Sequence, residues 1–75
     1  MTSAYRGLPS VDRLLADSRV GALTVEYGAP TVTHLVRQHL DDLRRAIAAG
    51  HLCPPFDEIV SSLVERAAST LAPSL

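Results

Sequence analysis

The sequence predicts an all-α fold: a small four-helix domain in which two short helices are followed by two longer antiparallel ones. Three observations carry this expectation. Apolar residues recur at steps of three and four along two extended stretches, Pro30 to Gly50 and Phe56 to Leu71. Residues that start and stop helices fall at the ends of these stretches and of two shorter ones before them. No segment reads as a strand, an internal repeat or a low-complexity tract.

Residues 1–7 read as a flexible lead-in. In Leu8 to Leu15, Pro9 disfavours helix before it, Ser10 suits the cap, and Asp12 lies in the first turn, where the helix dipole favours an acid. Val11, Leu14 and Leu15 give this first helix a short apolar face, and it should end near Asp17 or Ser18. A second short helix is expected from about Arg19 to Tyr27, with Ser18 as cap and Val20, Leu23 and Tyr27 on one side. Gly21 weakens it by about 1 kcal/mol relative to Ala.

Gly28 closes the second helix, and Pro30 at the first helical position opens the third. The third helix carries Val32, Val36, Leu40, Leu43 and Ile47 on one face, and Gly50 just past its end. His51 to Phe56 contains two consecutive prolines and reads as a connector, with Pro55 at the first turn of the last helix. Phe56, Ile59, Val60, Leu63, Ala67 and Leu71 form the buried face of that helix, with Asp57, Ser61, Ser62, Glu65, Arg66 and Ser69 largely opposite. Pro73 should end it. Two long helices with a short connector pair antiparallel, and the two short helices cover the open side.

At 75 residues the chain reads as a single domain, 1–75. A domain this small buries only about 60% of its unfolded surface. Hydrophobic residues make up 47% and charged residues 20%, a globular rather than a disordered balance. Formal net charge is −1, and all seven basic residues are Arg. That balance gives no global pull towards nucleic acid or an anionic membrane, so any anion must be held by a local arginine cluster. The single cysteine, Cys53, allows no internal disulfide. With neither a signal peptide nor an apolar run of membrane length, a cytoplasmic setting without membrane contact is expected.

No catalytic motif is visible. The chain lacks a Gly-x-Ser-x-Gly turn, a phosphate-cradling glycine loop and a His-Glu-x-x-His pair. One cysteine and three scattered histidines do not make a metal site; His34 and His39, five apart, fall on different helical faces. The expectation is therefore no metal and no independent enzymatic activity. The arginines of the third helix are more informative. Arg37 and Arg44 project within a narrow arc beside the apolar stripe, Arg45 lies further round, and Asp41 can reach all three. This pattern suits a solvated face laced with ion pairs, or an edge that grips phosphate. Arg13 and Arg19 could extend such an edge. Arg19 to Gln38 also has the parts of a helix-turn-helix, with Thr31, Thr33, His34, Arg37 and Gln38 towards DNA. The Asp41–Asp42 pair and the negative charge oppose that alternative. A helical protein-interaction domain is the third reading.

Three pieces of the chain resemble one family. They are Leu8-Pro-Ser-Val-Asp-x-Leu-Leu15, the Tyr27–Gly28 pair, and the pattern Val32, Val36, Arg37, Leu40, Asp41, Arg44 and Ile47. Leu71 to Leu75 adds a fourth, similar to the lead into a catalytic core. The family is the N-terminal region of bacterial selenocysteine synthase, L-seryl-tRNA(Sec) selenium transferase. The resemblance implies a small helical domain that binds tRNA(Sec) at its D-arm region. It implies that the full-length enzyme uses pyridoxal phosphate (PLP) and selenophosphate to convert seryl-tRNA(Sec) to selenocysteinyl-tRNA(Sec), and assembles as a ring of dimers. The partners implied are tRNA(Sec), the catalytic domain and the ring-shaped homo-oligomer. PLP is held there by a lysine, and this chain has none, so no cofactor is expected in it. By the same resemblance Arg37 and Arg44 take the role of phosphate contacts, with Arg45 and Arg13 as further RNA-binding candidates.

Overall fold

The computed structural model describes residues 8–71. Four helices follow one another: α1 (Val11–Ala16), α2 (Ser18–Tyr27), α3 (Ala29–Ala48) and α4 (Phe56–Leu71). No strand occurs among the described residues. The expected lead-in at 1–7, the stop at Pro73 and the segment 72–75 lie outside them, as does the side chain of Leu71.

The ends of the helices are set by local chemistry. Ser10 caps α1, its Oγ accepting the Arg13 backbone N–H at 3.1 Å. Asp17 then serves two helices. Its backbone N–H donates to the Leu14 carbonyl at 3.1 Å, and its carboxylate accepts the Arg19 backbone N–H at 2.9 Å. Ser18 is thus the first residue of α2 rather than its cap, and the helix starts one residue earlier than the sequence predicts. The reason is conformational: a capping residue must be non-helical, and Asp17 is extended (φ −68°, ψ 137°) while Ser18 is already helical.

Gly28, with φ +93°, is the one residue between α2 and α3. Its N–H donates to the Thr24 carbonyl at 2.9 Å and its carbonyl accepts from Val32 at 3.2 Å, so it ends one helix and begins the next. Pro30 is the second residue of α3, not the first. It is tolerated there because first-turn amides have no partner within the helix in any case. At the other end Gly50, φ +105°, permits paired closing bonds: Gly50 N–H to Ile47 and His51 N–H to Ala46, each 3.0 Å. The Pro55 carbonyl accepts the Ile59 N–H at 3.0 Å, which puts Pro55 just before α4 rather than inside its first turn. Asp57 and Glu58 occupy that turn.

α3 and α4, joined by the connector 49–55, pack against each other. α2 lies against both of them, and α1 against α2 and α3. Leu14, Val20, Leu23, Val32, Leu35, Val36, Leu40, Ile59, Val60, Leu63 and Ala67 form one buried cluster. Each large aliphatic side chain there contributes about 1.5–3 kcal/mol. The predicted stripe on α3 needs two corrections. Leu35 is buried although the stripe omits it, and Leu43 is only partly buried. The buried face is broader than one row because α3 is covered from several sides. Arg66 also departs from expectation: it is half-buried at the seam with α3, not fully on the outer side of α4.

Candidate functional site

α3 is long enough to present a full outward face beyond the core, and this is where three of the four candidate arginines lie. Arg37 is exposed and makes no hydrogen bond or ion pair among the described residues. Arg44 Nη1 lies 3.1 Å from Asp41 Oδ1, and Arg45 Nη1 3.6 Å from Asp42 Oδ1. Asp41 thus engages Arg44 alone, not all three arginines as the spacing allowed. Arg45 is the most exposed member of these pairs, at 80%. Arg13 does not join this row through a polar contact. Its guanidinium sits 4.8 Å from the centroid of the Phe56 ring, a cation–π contact between α1 and the start of α4.

Arg19, considered as an extension of the edge, is engaged elsewhere. Its Nε and Nη2 donate to the two Asp17 carboxylate oxygens at 3.1 and 3.2 Å, and Nη2 also reaches Asp57 Oδ1 at 3.1 Å. It ties the α1–α2 corner to α4. Its hydrogen bonds hold the Asp17 carboxyl below the usual carboxylate range.

One cluster was missed by the sequence reading. Arg66 of α4 reaches α3, with Nη1 2.7 Å from Asp42 Oδ2 and 3.3 Å from His39 Nδ1. An arginine nitrogen can only donate, so His39 Nδ1 accepts and the neutral ring carries its proton on Nε2. Nε2 is buried and has no hydrogen-bond partner among the described residues. Burial first, and the Arg66 charge second, push the His39 pKa below the ordinary imidazole value; Asp42 opposes them. The residues are 24 and 27 positions apart, so only the periodicity of both helices together could have suggested the meeting.

Beside this cluster runs an open groove of about 390 Å³, lined by His34, Gln38, Asp41, Asp42, Arg45 and Arg66. Its walls mix donors and acceptors and hold no apolar pocket for a substrate. Among the described residues no group of three or more His, Cys, Asp or Glu side chains could hold a metal ion. The site does not fit PLP either, because that cofactor is anchored as an imine on lysine and the chain contains none. No helix among the described residues is long and apolar enough to cross a membrane. What this surface can do chemically is bind a polar or charged partner.

Comparison with known proteins bears directly on which partner. The family model described as selenocysteine synthase N terminal matches residues 5–44. The chain is similar to the L-seryl-tRNA(Sec) selenium transferases of Escherichia coli O9:H4 (strain HS) and Escherichia coli (strain SE11), at 37% identity over 76 aligned positions in each case. Each alignment covers 95% of this chain but only 16% of the relative. No solved structure matches.

Proposed function

This chain belongs to the selenocysteine synthase N-terminal family, and from that premise we propose that it is the tRNA(Sec)-binding domain of an L-seryl-tRNA(Sec) selenium transferase. It recognises the D-arm region of tRNA(Sec). Conversion of the seryl to the selenocysteinyl group, with PLP and selenophosphate, belongs to a catalytic domain in the ring-shaped assembly. The relatives are about six times longer than the region matched, which leaves ample chain for such a domain.

The observation that carries this reading is the outward face of α3. Arg37 and Arg44 both fall within the residues that the family model matches, on the helix that also lines a groove of polar and charged side chains. Folded RNA is recognised largely through phosphates, 2′-hydroxyls and shape. A short arginine row can meet phosphates without making the domain basic overall. With a net charge of −1 the single domain binds weakly, and several domains around one ring supply avidity.

The test is a titration of the chain against tRNA(Sec), serine tRNA and duplex DNA at two salt concentrations. The Arg37→Ala/Arg44→Ala variant is measured alongside, once circular dichroism shows that it folds. Preference for tRNA(Sec) that is reduced in the variant, with a salt slope lower by about one for each lost phosphate contact, supports the proposal. Equal binding to both tRNAs overturns it, and preference for DNA replaces it with the helix-turn-helix reading.

A further inference from the structure

The groove beside the arginine row sets two carboxylates and an amide next to its arginines. We propose, resting on the RNA-binding reading above, that this groove takes the donor-bearing edge of a nucleotide and that Asp41 and Gln38 determine specificity there. The donors in question are the 2′-hydroxyl of ribose and the amino groups of bases.

The two arginines that line the groove, Arg45 and Arg66, both face Asp42, so it is the Asp41 side of the groove that disfavours phosphate. Asp41 and Asp42 both line the groove. A carboxylate accepts hydrogen bonds and carries negative charge, and so does a phosphate, so the two repel and cannot bond. Groups that donate are welcome in the same place. Carboxylates accept from amino groups on base edges, and the 2′-hydroxyl is the donor that distinguishes RNA from DNA.

Occupancy then separates the two carboxylates. Asp42 gives Oδ2 to Arg66 at 2.7 Å and faces Arg45 with Oδ1 at 3.6 Å. Asp41 bonds Arg44 through Oδ1 at 3.1 Å, and its Oδ2 has no partner among the described residues. The Gln38 amide has none there either. Asp41 Oδ2, the Gln38 amide and the His34 ring are therefore the polar groups on the α3 wall without a partner among the described residues, and Asp41 and Gln38 are the two that carry oxygen acceptors. Arg66 forms the opposite wall and is held in place by Asp42 and His39, so the groove exists before a ligand arrives.

Position completes the division of labour. His34, Gln38, Asp41 and Arg45 follow steps of four, three and four, so they line one side of α3 over roughly 16 Å. Arg37 lies outside the groove and has no carboxylate partner among the described residues. Phosphate attraction comes from Arg37 and Arg44, and discrimination comes from the Asp41 and Gln38 side of the groove, where a wrongly placed phosphate meets the Asp41 carboxylate.

Two variants that leave the Arg66 contacts intact test this. Asp41→Asn removes the charge and substitutes a donor for one oxygen; Gln38→Ala removes the amide without changing charge. Both are titrated against tRNA(Sec) and serine tRNA after circular dichroism. Asp41→Asn should lower the tRNA(Sec) to serine tRNA affinity ratio by about fivefold or more, partly by strengthening serine tRNA binding. Gln38→Ala should weaken tRNA(Sec) binding with the salt slope unchanged, because no phosphate contact is lost. Hairpins of the D-arm in RNA and in DNA distinguish the donors. A preference for RNA that Asp41→Asn abolishes assigns the hydroxyl; equal weakening of both hairpins assigns the amino groups. If the unmodified chain shows no preference for tRNA(Sec), the RNA-binding reading fails and this inference with it. If that preference persists undiminished in both variants, the groove inference alone is overturned.

Discussion

Val36 and Arg37 are neighbours on α3, yet Val36 is fully buried while Arg37 is exposed and unpaired among the described residues. The contrast runs the length of the helix. The inward face is fixed by close packing against three other helices, where a methylene more or less is felt. The outward face is held by exposed ion pairs one turn apart, each worth about 0.3–0.5 kcal/mol. Such pairs exchange partners readily. A surface of this kind can hand its arginines from carboxylate to phosphate while the inner face keeps the frame unchanged.

Replacing a residue of the inner face should have the largest effect. Leu40 is 2% exposed, and Leu40→Ala should cost about 2–5 kcal/mol, read from urea unfolding by circular dichroism. A loss below about 1 kcal/mol would mean that the inner face is not the frame described here. At the seam between the faces, Arg66→Ala should cost about 1 kcal/mol, since the pair with Asp42 is partly solvated. No measurable change would make Arg66 a surface residue like Arg45.

The same seam predicts a pH dependence. His39 has a folded-state pKa below its ordinary value of 6.5, so the unfolded chain binds the proton more tightly. Stability from this group is fully present above about pH 6.5 and is lost as pH falls through the folded-state value. Urea midpoints at about pH 7.5 and about pH 5.5 should differ more for the natural chain than for His39→Leu. Equal differences would sink the assignment of a neutral His39. On the outer face, Arg37→Ala should change stability by no more than about 0.5 kcal/mol while reducing tRNA binding. A large loss of stability would place Arg37 in the fold rather than at the ligand.

Much of the scaffold was legible because its signals are local. Ser10, Gly28 and Gly50 end or begin helices through bonds within a few residues, and each does so here. The cap of α2 was misplaced by one residue because Asp17 and Ser18 are both good caps; the extended backbone of Asp17 settled it. Leu35 was omitted because a single row of apolar positions gives the direction of a buried face but not its width. The candidate site was legible only as a set of charges. The spacing located Arg37, Arg44 and Arg45 on one helix, but not which of them Asp41 would hold. Nor did it show that Arg13 lies over Phe56 and that Arg19 joins Asp17 to Asp57.

By itself the sequence determined the all-α class, the four helices, most of their ends and the family. These follow from periodicity, capping chemistry and motif residues that act within a turn or two of the chain. Only the tertiary structure decided the meeting of Arg66 with His39 and Asp42, the groove beside it, and which arginines remain available to a ligand. Those depend on how α4 lies along α3, and a side-chain contact across 24 residues leaves no local trace in either helix.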